Sequence, residues 1–230
     1  MVSGPSLSFV IPVRNEAGRI AELLALLASD FPAAQRLVVD GGSSDATVAA
    51  AMPGATQLLL SAPGRALQMN LGGRVASGDY LLFLHADSRP RFAAAALAQA
   101  LADAPEWGFF PLRLDGQRAV FRLLERAITL RSRYSGIGTG DQMLFLRRDV
   151  FLACGGFAPI PLMEDVELCR RLRRSGRPLV PDDLQVETSS RRWEQRGVLR
   201  TVLQMWGLRL AYALGVAPQR LWRIYYGAHG

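Results

Sequence analysis

The stretch GDYLLFLHADSRP, residues 78–90, climbs through apolar positions and stops on His85, Ala86 and Asp87. Two earlier apolar runs end the same way. LSFVIPV (7–13) is followed by Arg14, Asn15 and Glu16, and RLVVD (36–40) ends on Asp40 and continues as GGSSD, with Gly41 and Asp45. One acidic residue at a strand end is an ordinary helix cap, and Asp87 or Asp45 alone could be one. Three such clusters are harder to explain as caps. In open parallel sheets ligands bind outside the carboxyl ends of the strands, so Glu16, Asp40, Asp45 and Asp87 would line one crevice. Carboxylates there can accept hydrogen bonds from a nucleobase or ribose, or hold Mg or Mn against phosphate oxygens. Arg65, at the start of a helix-like segment, suits a diphosphate, as does the helix N-terminus itself. Together these groups read as a nucleoside-diphosphate site. The glycines of DGGSSD follow the second strand and do not match G-x-G-x-x-G, which disfavours a dinucleotide.

The elements that must position these groups alternate. Strand-like runs at 7–13, 36–40, 56–61 and 80–87 are separated by helix-like runs at 15–29, 44–52 and 64–77, with another helix over 91–103. Asn15 is a candidate N-cap for the first helix, and Leu67, Leu71 and Val75 fall on one face of the third. Four βα units in about 100 residues predict an α/β fold with a parallel sheet and helices on both faces. The order then loosens. A strand is expected over 107–115, a helix over 118–135, a strand over 141–148 and a helix over 164–176 closed by Gly176. A final apolar helix over 203–215 has Leu203, Trp206, Leu210 and Leu214 along one side. Asp165, Leu168, Cys169 and Leu172 share a face of the 164–176 helix, so Asp165 starts an inward stripe at a helix N-terminus, where the dipole stabilises a carboxylate. It could be a general base or a common N-terminal helix acid.

Composition limits the chemistry. The chain has 230 residues, half of them apolar, and a net charge of +7. All 27 basic residues are Arg, which excludes a Schiff-base lysine and the P-loop motif. Arg suits bidentate contacts with phosphate or carboxylate, and the basic balance points to an anionic partner. Cys154 and Cys169 are too few for a disulfide framework and match no zinc spacing. A buried free thiol at Cys169 fits a reducing compartment. The start of the chain has no basic leader pattern, and no apolar run is long enough to span a bilayer.

PVRNE, VVDGGSSD, HAD, GGF with MEDVELCRRL, and RRW, in this order, resemble the family 2 glycosyltransferases of the GT-A fold. GRALQMN, FLHADS, PLMEDVEL and SSRRWEQRG are similar to a bacterial branch labelled selenodomain-associated transferase 2. The likeness covers about residues 6–226. It implies a Rossmann-like three-layer α/β/α fold, the mainly parallel sheet of a nucleotide-diphospho-sugar transferase, and a helical C-terminal extension. It also implies one domain over 1–230: a nucleotide-binding half to about 105, an acceptor and catalytic half over 106–195, and the extension over 196–230. By the same resemblance Pro12, Asn15 and Glu16 lie at the nucleoside. Asp40 binds the base beside Gly41, and Asp45 supports the loop. Arg65 and Asn70 face the nucleotide or donor sugar. Asp87 corresponds to the second carboxylate of the D-x-D metal motif, and Asp165 to the catalytic base of the ED pair with Glu164. The implied reaction is metal-assisted inverting transfer from a nucleotide sugar to an acceptor hydroxyl.

The chain departs from the family pattern in three places. His85 stands where relatives have the first Asp, as a second candidate metal ligand, a ribose contact or a packed side chain. Ser189 replaces the Gln of Q-x-x-R-W, so processive polymerisation is not implied. Arg192 and Trp193 can contact diphosphate or acceptor, or Trp193 can pack in the core. Asp141 and Gln142 in GTGDQMLF fall on the acceptor side or serve a loop. A sugar-phosphate nucleotidyltransferase would share the periodicity, but PVRNEAGR occupies the place of its Gly-rich signature. A non-catalytic protein binding nucleotide or anionic membrane through the Arg–aromatic tail RLWRIYY is the other alternative. No nucleic-acid motif is present. The expected setting is the cytoplasm, peripheral at the inner face of the membrane, with a lipid-linked acceptor as one candidate.

Overall fold

A computed structural model describes residues 4–227; residues 1–3, where the reading for a leader begins, and 228–230 lie outside it. Strand β1 (Leu7–Val13) is buried at every position after Leu7 because it lies between two parallel neighbours. These are β2 (Gln35–Asp40) and β4 (Tyr80–Phe83). β3 (Gln57–Leu60) extends the sheet beyond β2. On the far side β8 (Phe145–Arg147) runs antiparallel to β4, and β6 (Trp107–Gly108) antiparallel to β8. The order is β3-β2-β1-β4-β8-β6. Successive residues of β1 serve opposite faces. Phe9, Ile11 and Val13 join α1 (Ala17–Asp30) and α4 (Ala94–Ala100) in one core. Val10 meets α3 (Arg65–Val75), α6 (Arg148–Ala153) and α7 (Glu164–Leu172) in the other. This is the three-layer α/β/α arrangement. The short α2 (Thr47–Ala51) packs beside α1.

A second sheet, β5-β9-β7, joins Ser88–Pro90, Val186–Thr188 and Leu112–Leu114. The remaining helices are α5 (Ala119–Ser135), α8 (Arg191–Arg196), α9 (Val198–Ala213) and α10 (Pro218–Tyr226). No helix of the described residues is long and apolar enough to cross a membrane.

Three expectations about elements are corrected, and on two helices the apolar row lies largely on the outside. β4 ends at Phe83, and His85, Ala86 and Asp87 lie on the turn into β5, where the Ser88 N–H reaches the His85 carbonyl at 3.1 Å. The 107–115 run splits between the two sheets. Gly176 does not cap α7 with a left-handed residue; the helix ends at Leu172, and Arg173 keeps helical angles. On α3, Leu67 and Val75 are exposed, whereas Ala66, Met69, Asn70, Gly72 and Gly73 are buried. The small residues decide that face: a Cβ on Gly72 would stand 2.5 Å from Val10 Cγ1, and one on Gly73 2.4 Å from Phe151 Cε1. α3 therefore lies on its small residues, with Gly72 against β1 and Gly73 against α6; Leu67 and Val75 turn outward while Leu71 stays half-buried against the core. On α9, Leu203, Trp206, Leu210 and Leu214 face solvent.

Candidate active site

The β2–α2 loop is tied from both sides. Asp40 is buried, and its carboxylate accepts the N–H groups of Gly42 and Ser43 at 3.0 Å each, together with the Ser43 hydroxyl. Asn15 does not cap α1. Its backbone is left-handed, its Oδ1 accepts the Ser44 N–H at 2.8 Å, and its own N–H donates to Ser43 Oγ at 2.9 Å. Asp45 accepts the N–H groups of Thr47 (2.9 Å) and Ala17 (3.3 Å), and the hydrogen bonds from Thr47 hold its carboxyl below the usual range. The loop after β1 and the loop after β2 thus form one hydrogen-bonded rim. Gly41 is needed there because a Cβ would stand 2.7 Å from Gln68 Cδ. The Gln68 amide donates to the carbonyls of Val13 (2.9 Å) and Val39 (2.8 Å), pinning the carboxyl ends of both strands. Pro12 sits inside β1. Val10 and Pro12 share the side that faces β4, and β4 has ended by the level of Pro12, so no ladder bond is lost.

Beside this rim lies a polar crevice of about 300 Å³, bordered by Glu16, Arg65, Asp87, Asp141, Arg192 and Trp193. Asp87 is exposed, and its nearest side-chain partner is the Ser88 hydroxyl at 3.3 Å. Burial raises the Glu16 carboxyl, and the charge of Asp87 adds to the rise while Arg19 and Arg65 oppose it. His85 is buried with Nδ1 3.4 Å from Asp141 Oδ1. Its ring lies so close to Gly140 that a Cβ there would stand 2.4 Å from His85 Cε1. Burial works against the Asp141 carboxylate, but His85, Arg192 and Arg65 outweigh it and hold its pKa low, at about 2.

An adjoining cavity shares Arg65, Asp141, Arg192 and Trp193 with the crevice and contains Glu164 and Asp165. Asp165 stands in the first turn of α7. Its Oδ2 accepts the Gly140 N–H at 2.9 Å, and its Oδ1 accepts the Val166 N–H at 2.7 Å. Leu168, Cys169 and Leu172 anchor the same helix in the core. Burial raises the Asp165 carboxyl despite these bonds. Glu164 is raised to about 7, first by burial and then by the neighbouring Asp165 charge. Arg65 is the counter-charge. Its side chain is exposed at the cavity mouth; crowding by protein atoms opposes its ionisation, but Glu164, Asp141 and Asp87 together raise its pKa.

The structure therefore brings Glu16, Arg65, His85, Asp87, Asp141, Glu164, Asp165, Arg192 and Trp193 to two connected cavities. Ala86 supplies the turn between His85 and Asp87. Pro12, Asp40, Gly41, Asn15 and Asp45 shape or brace the rim. One expectation is corrected, for Asn70, and for Gln142 the loop role is the one found. Asn70 is not turned toward a ligand, because its amide clasps the Phe157 backbone in both directions at 2.8 Å. Gln142 is fully buried and holds Ser132 at 2.8 Å and the Phe110 carbonyl at 3.3 Å, bracing the Thr139–Asp141 segment from behind. Arg131 lies outside the quoted motifs, and Arg19, Gln68 and Tyr225 lie inside quoted stretches without a role read from them. Arg192 stacks on the Tyr225 ring at 5.5 Å and donates to its hydroxyl.

Among the described residues no three His, Cys, Asp or Glu side chains form a metal-holding group. The donor set that exists is one open carboxylate, Asp87, at the mouth of an arginine-lined crevice. That suits a hard divalent ion held jointly by the protein and by phosphate oxygens.

The parallel sheet, the rim at its carboxyl edge and the two cavities define a GT-A nucleotide-sugar-transferase fold. The chain belongs to glycosyl transferase family 2, whose model matches residues 8–161. Solved structures agree on the fold. A mannosyltransferase from Pyrobaculum calidifontis in complex with GDP-Man and Mn2+ is 22% identical with a TM-score of 0.67, over 95% of this chain and 67% of that one. TarS of S. aureus, residues 1–349, is 18% identical with a TM-score of 0.66, over 80% of this chain. Glucosyl-3-phosphoglycerate synthase of Mycobacterium tuberculosis, with Mn2+, UDP and phosphoglyceric acid, is 18% identical with a TM-score of 0.55, over 81% of this chain and 69% of that one. The chain spans 60% of the TarS fragment. A comparison with curated proteins gives no match.

Proposed function

We propose that the chain moves a sugar from a nucleoside-diphosphate sugar to an acceptor hydroxyl with inversion. One observation carries the reading: Asp165, aimed by the Gly140 N–H, lines a cavity that shares Arg65, Asp141 and Arg192 with the crevice of Asp87. The acceptor hydroxyl gives its proton to the Asp165 carboxylate, and its oxygen bonds to the anomeric carbon. The bond from that carbon to the diphosphate oxygen breaks, and the electron pair leaves with the nucleoside diphosphate. Arg65 and Arg192 stand where they can offset the leaving charge. Asp87 would hold Mg or Mn, which supplies Lewis-acid stabilisation of the diphosphate when bound. His85 faces Asp141, so it is assigned to positioning that carboxylate rather than to the metal.

In this reading residues 1–105 hold the nucleotide, 106–195 bring the base and acceptor side, and 196–230 close the acceptor side. The motif likeness supports the selenodomain-associated transferase 2 branch. The nucleotide sugars and Mn2+ named for the structural neighbours support a UDP- or GDP-sugar donor and a divalent ion. The cytoplasmic face of a membrane is the proposed setting, with no nucleic-acid partner. A thermal-shift and hydrolysis screen of nucleotide sugars with Mn2+ or Mg2+ tests the proposal. A metal-dependent shift with release of nucleoside diphosphate is expected. Release of pyrophosphate from a nucleoside triphosphate would favour a nucleotidyltransferase, and silence with every nucleotide would overturn both.

The carboxylate pair sets a pH dependence. Below pH 7 Glu164 and Asp165 share a proton, and above it both are ionised, leaving Asp165 free as the base. Turnover should therefore rise with pH through about 7, and Glu164→Gln should remove that step. A pH–rate profile with the same inflection in the variant would exclude the pair as its origin.

A further inference from the structure

The cavity that holds Asp165 has two unlike linings. One is polar, with Arg65, His85, Asp141, Glu164 and Asp165. The other is formed by Leu124 and Ile128 of α5 and by Val202, Met205 and Trp206 of α9. Apolar walls of this kind stabilise a ligand by removing its apolar surface from water, so this lining fits an acceptor with a hydrocarbon body.

The same two helices carry apolar rows on their outer sides. On α9, Leu199, Leu203, Trp206, Leu210 and Leu214 recur at steps of three and four and are 63–77% exposed. On α5, Leu123, Leu130 and Tyr134 are 69–94% exposed. Contiguous exposed apolar surface marks a contact site. Trp206 belongs both to the outer row and to the cavity wall, so the two surfaces are continuous. Residues 191–226 contain seven Arg and one Glu, so most of the net charge of +7 lies in this part of the chain. Apolar rows among arginines match an anionic bilayer surface.

In the same cavity, Arg131 of α5 and Arg209 of α9 each keep a buried guanidinium nitrogen without a partner, Nε and Nη2 respectively. An unpaired buried N–H is costly, and an anionic group on a ligand between the helices would relieve it.

We propose that the acceptor is a membrane amphiphile with an anionic group. Its chain lies between α5 and α9, its charge meets Arg131 and Arg209, and its hydroxyl reaches Asp165 while the outer rows rest on the bilayer. The fate of that hydroxyl rests on the transferase reading, but binding of the amphiphile does not require the donor, so the two can fail separately.

Titration of the full chain with decyl phosphate, 1-decanol and inorganic phosphate, followed by tryptophan fluorescence, tests the subsite. Decyl phosphate should bind at least about tenfold more tightly than either of the others. Arg131→Gln and Arg209→Gln should each weaken decyl phosphate by about tenfold and leave 1-decanol unchanged. In the second arm, the protein should float with phosphatidylglycerol-containing vesicles at low salt and not with phosphatidylcholine alone. Leu203→Asp combined with Leu210→Asp should abolish flotation while UDP or GDP still binds with Mn2+. Equal affinity for decyl phosphate and 1-decanol, or for decyl phosphate and inorganic phosphate, would overturn the proposal in the wild-type protein itself. So would absence from anionic vesicles. Failure of the wild type to bind any nucleotide would strike the transferase reading and leave these comparisons intact.

Discussion

Asp165→Asn is expected to lower sugar transfer by about 10²–10⁴-fold while nucleotide-sugar affinity stays near that of the wild type. The size follows from what the substitution removes. Asn keeps one oxygen that can accept the Gly140 N–H, now bonded at 2.9 Å, so the loop should hold its place while the local bond from the Val166 N–H, at 2.7 Å, is given up. It cannot accept the proton of the acceptor hydroxyl. The Arg65 and Arg192 side of the crevice is untouched, so the donor should still dock. Steady-state transfer together with isothermal titration of the nucleoside diphosphate checks both halves. Unchanged turnover would remove Asp165 as the base; lost nucleotide binding would instead make it part of the donor site. The family match ends at residue 161, before Glu164 and Asp165, so this variant tests what the motif resemblance and the geometry propose together.

Asp87→Ala should act on the other side of the reaction. Asp87 is the open carboxylate of the crevice, and among the described residues no group of three His, Cys, Asp or Glu side chains could hold the ion in its place. If it holds the metal against the diphosphate, the variant should lose about 10²-fold or more in turnover, because leaving-group charge is no longer offset. Nucleoside-diphosphate affinity should also stop responding to Mn2+. The wild type should bind more tightly with Mn2+ than without it, and the variant equally in both. A surviving Mn2+ effect in Asp87→Ala would move the metal elsewhere. Asp87 is exposed and braces nothing through its carboxylate beyond Ser88, so the fold should persist, which a melting curve would verify.

Much of the site was legible in the chain because local chemistry reports strand ends. Apolar runs that stop on NE, DGGSSD and HAD mark one edge of a parallel sheet whatever packs around it. The inward stripe from Asp165 to Leu172 is likewise a property of helical spacing. Residues distant in sequence were not legible in the same way. Asp141 becomes the partner of His85 only because the segment before β8 folds back over the turn after β4. Asn70 and Gln142 look like site residues by motif, yet their amides are consumed by backbone groups that only the packed chain brings near. The buried face of α3 is not legible in the sequence because leucine spacing outweighs glycine in any pattern, although glycine permits the closest approach to the sheet.

By itself the sequence determined the α/β order, the polar carboxyl edge, the absence of lysine chemistry and the helix that carries Asp165. Only the tertiary structure decided which carboxylates share a space, that Arg131 and Arg209 meet the same cavity, and that the apolar side of α9 is uncovered. The reason is physical. Periodicity states that a helix has an apolar side, which is set by residues three and four apart. Whether that side meets a core or solvent depends on which other elements reach it, and that is a property of the whole fold.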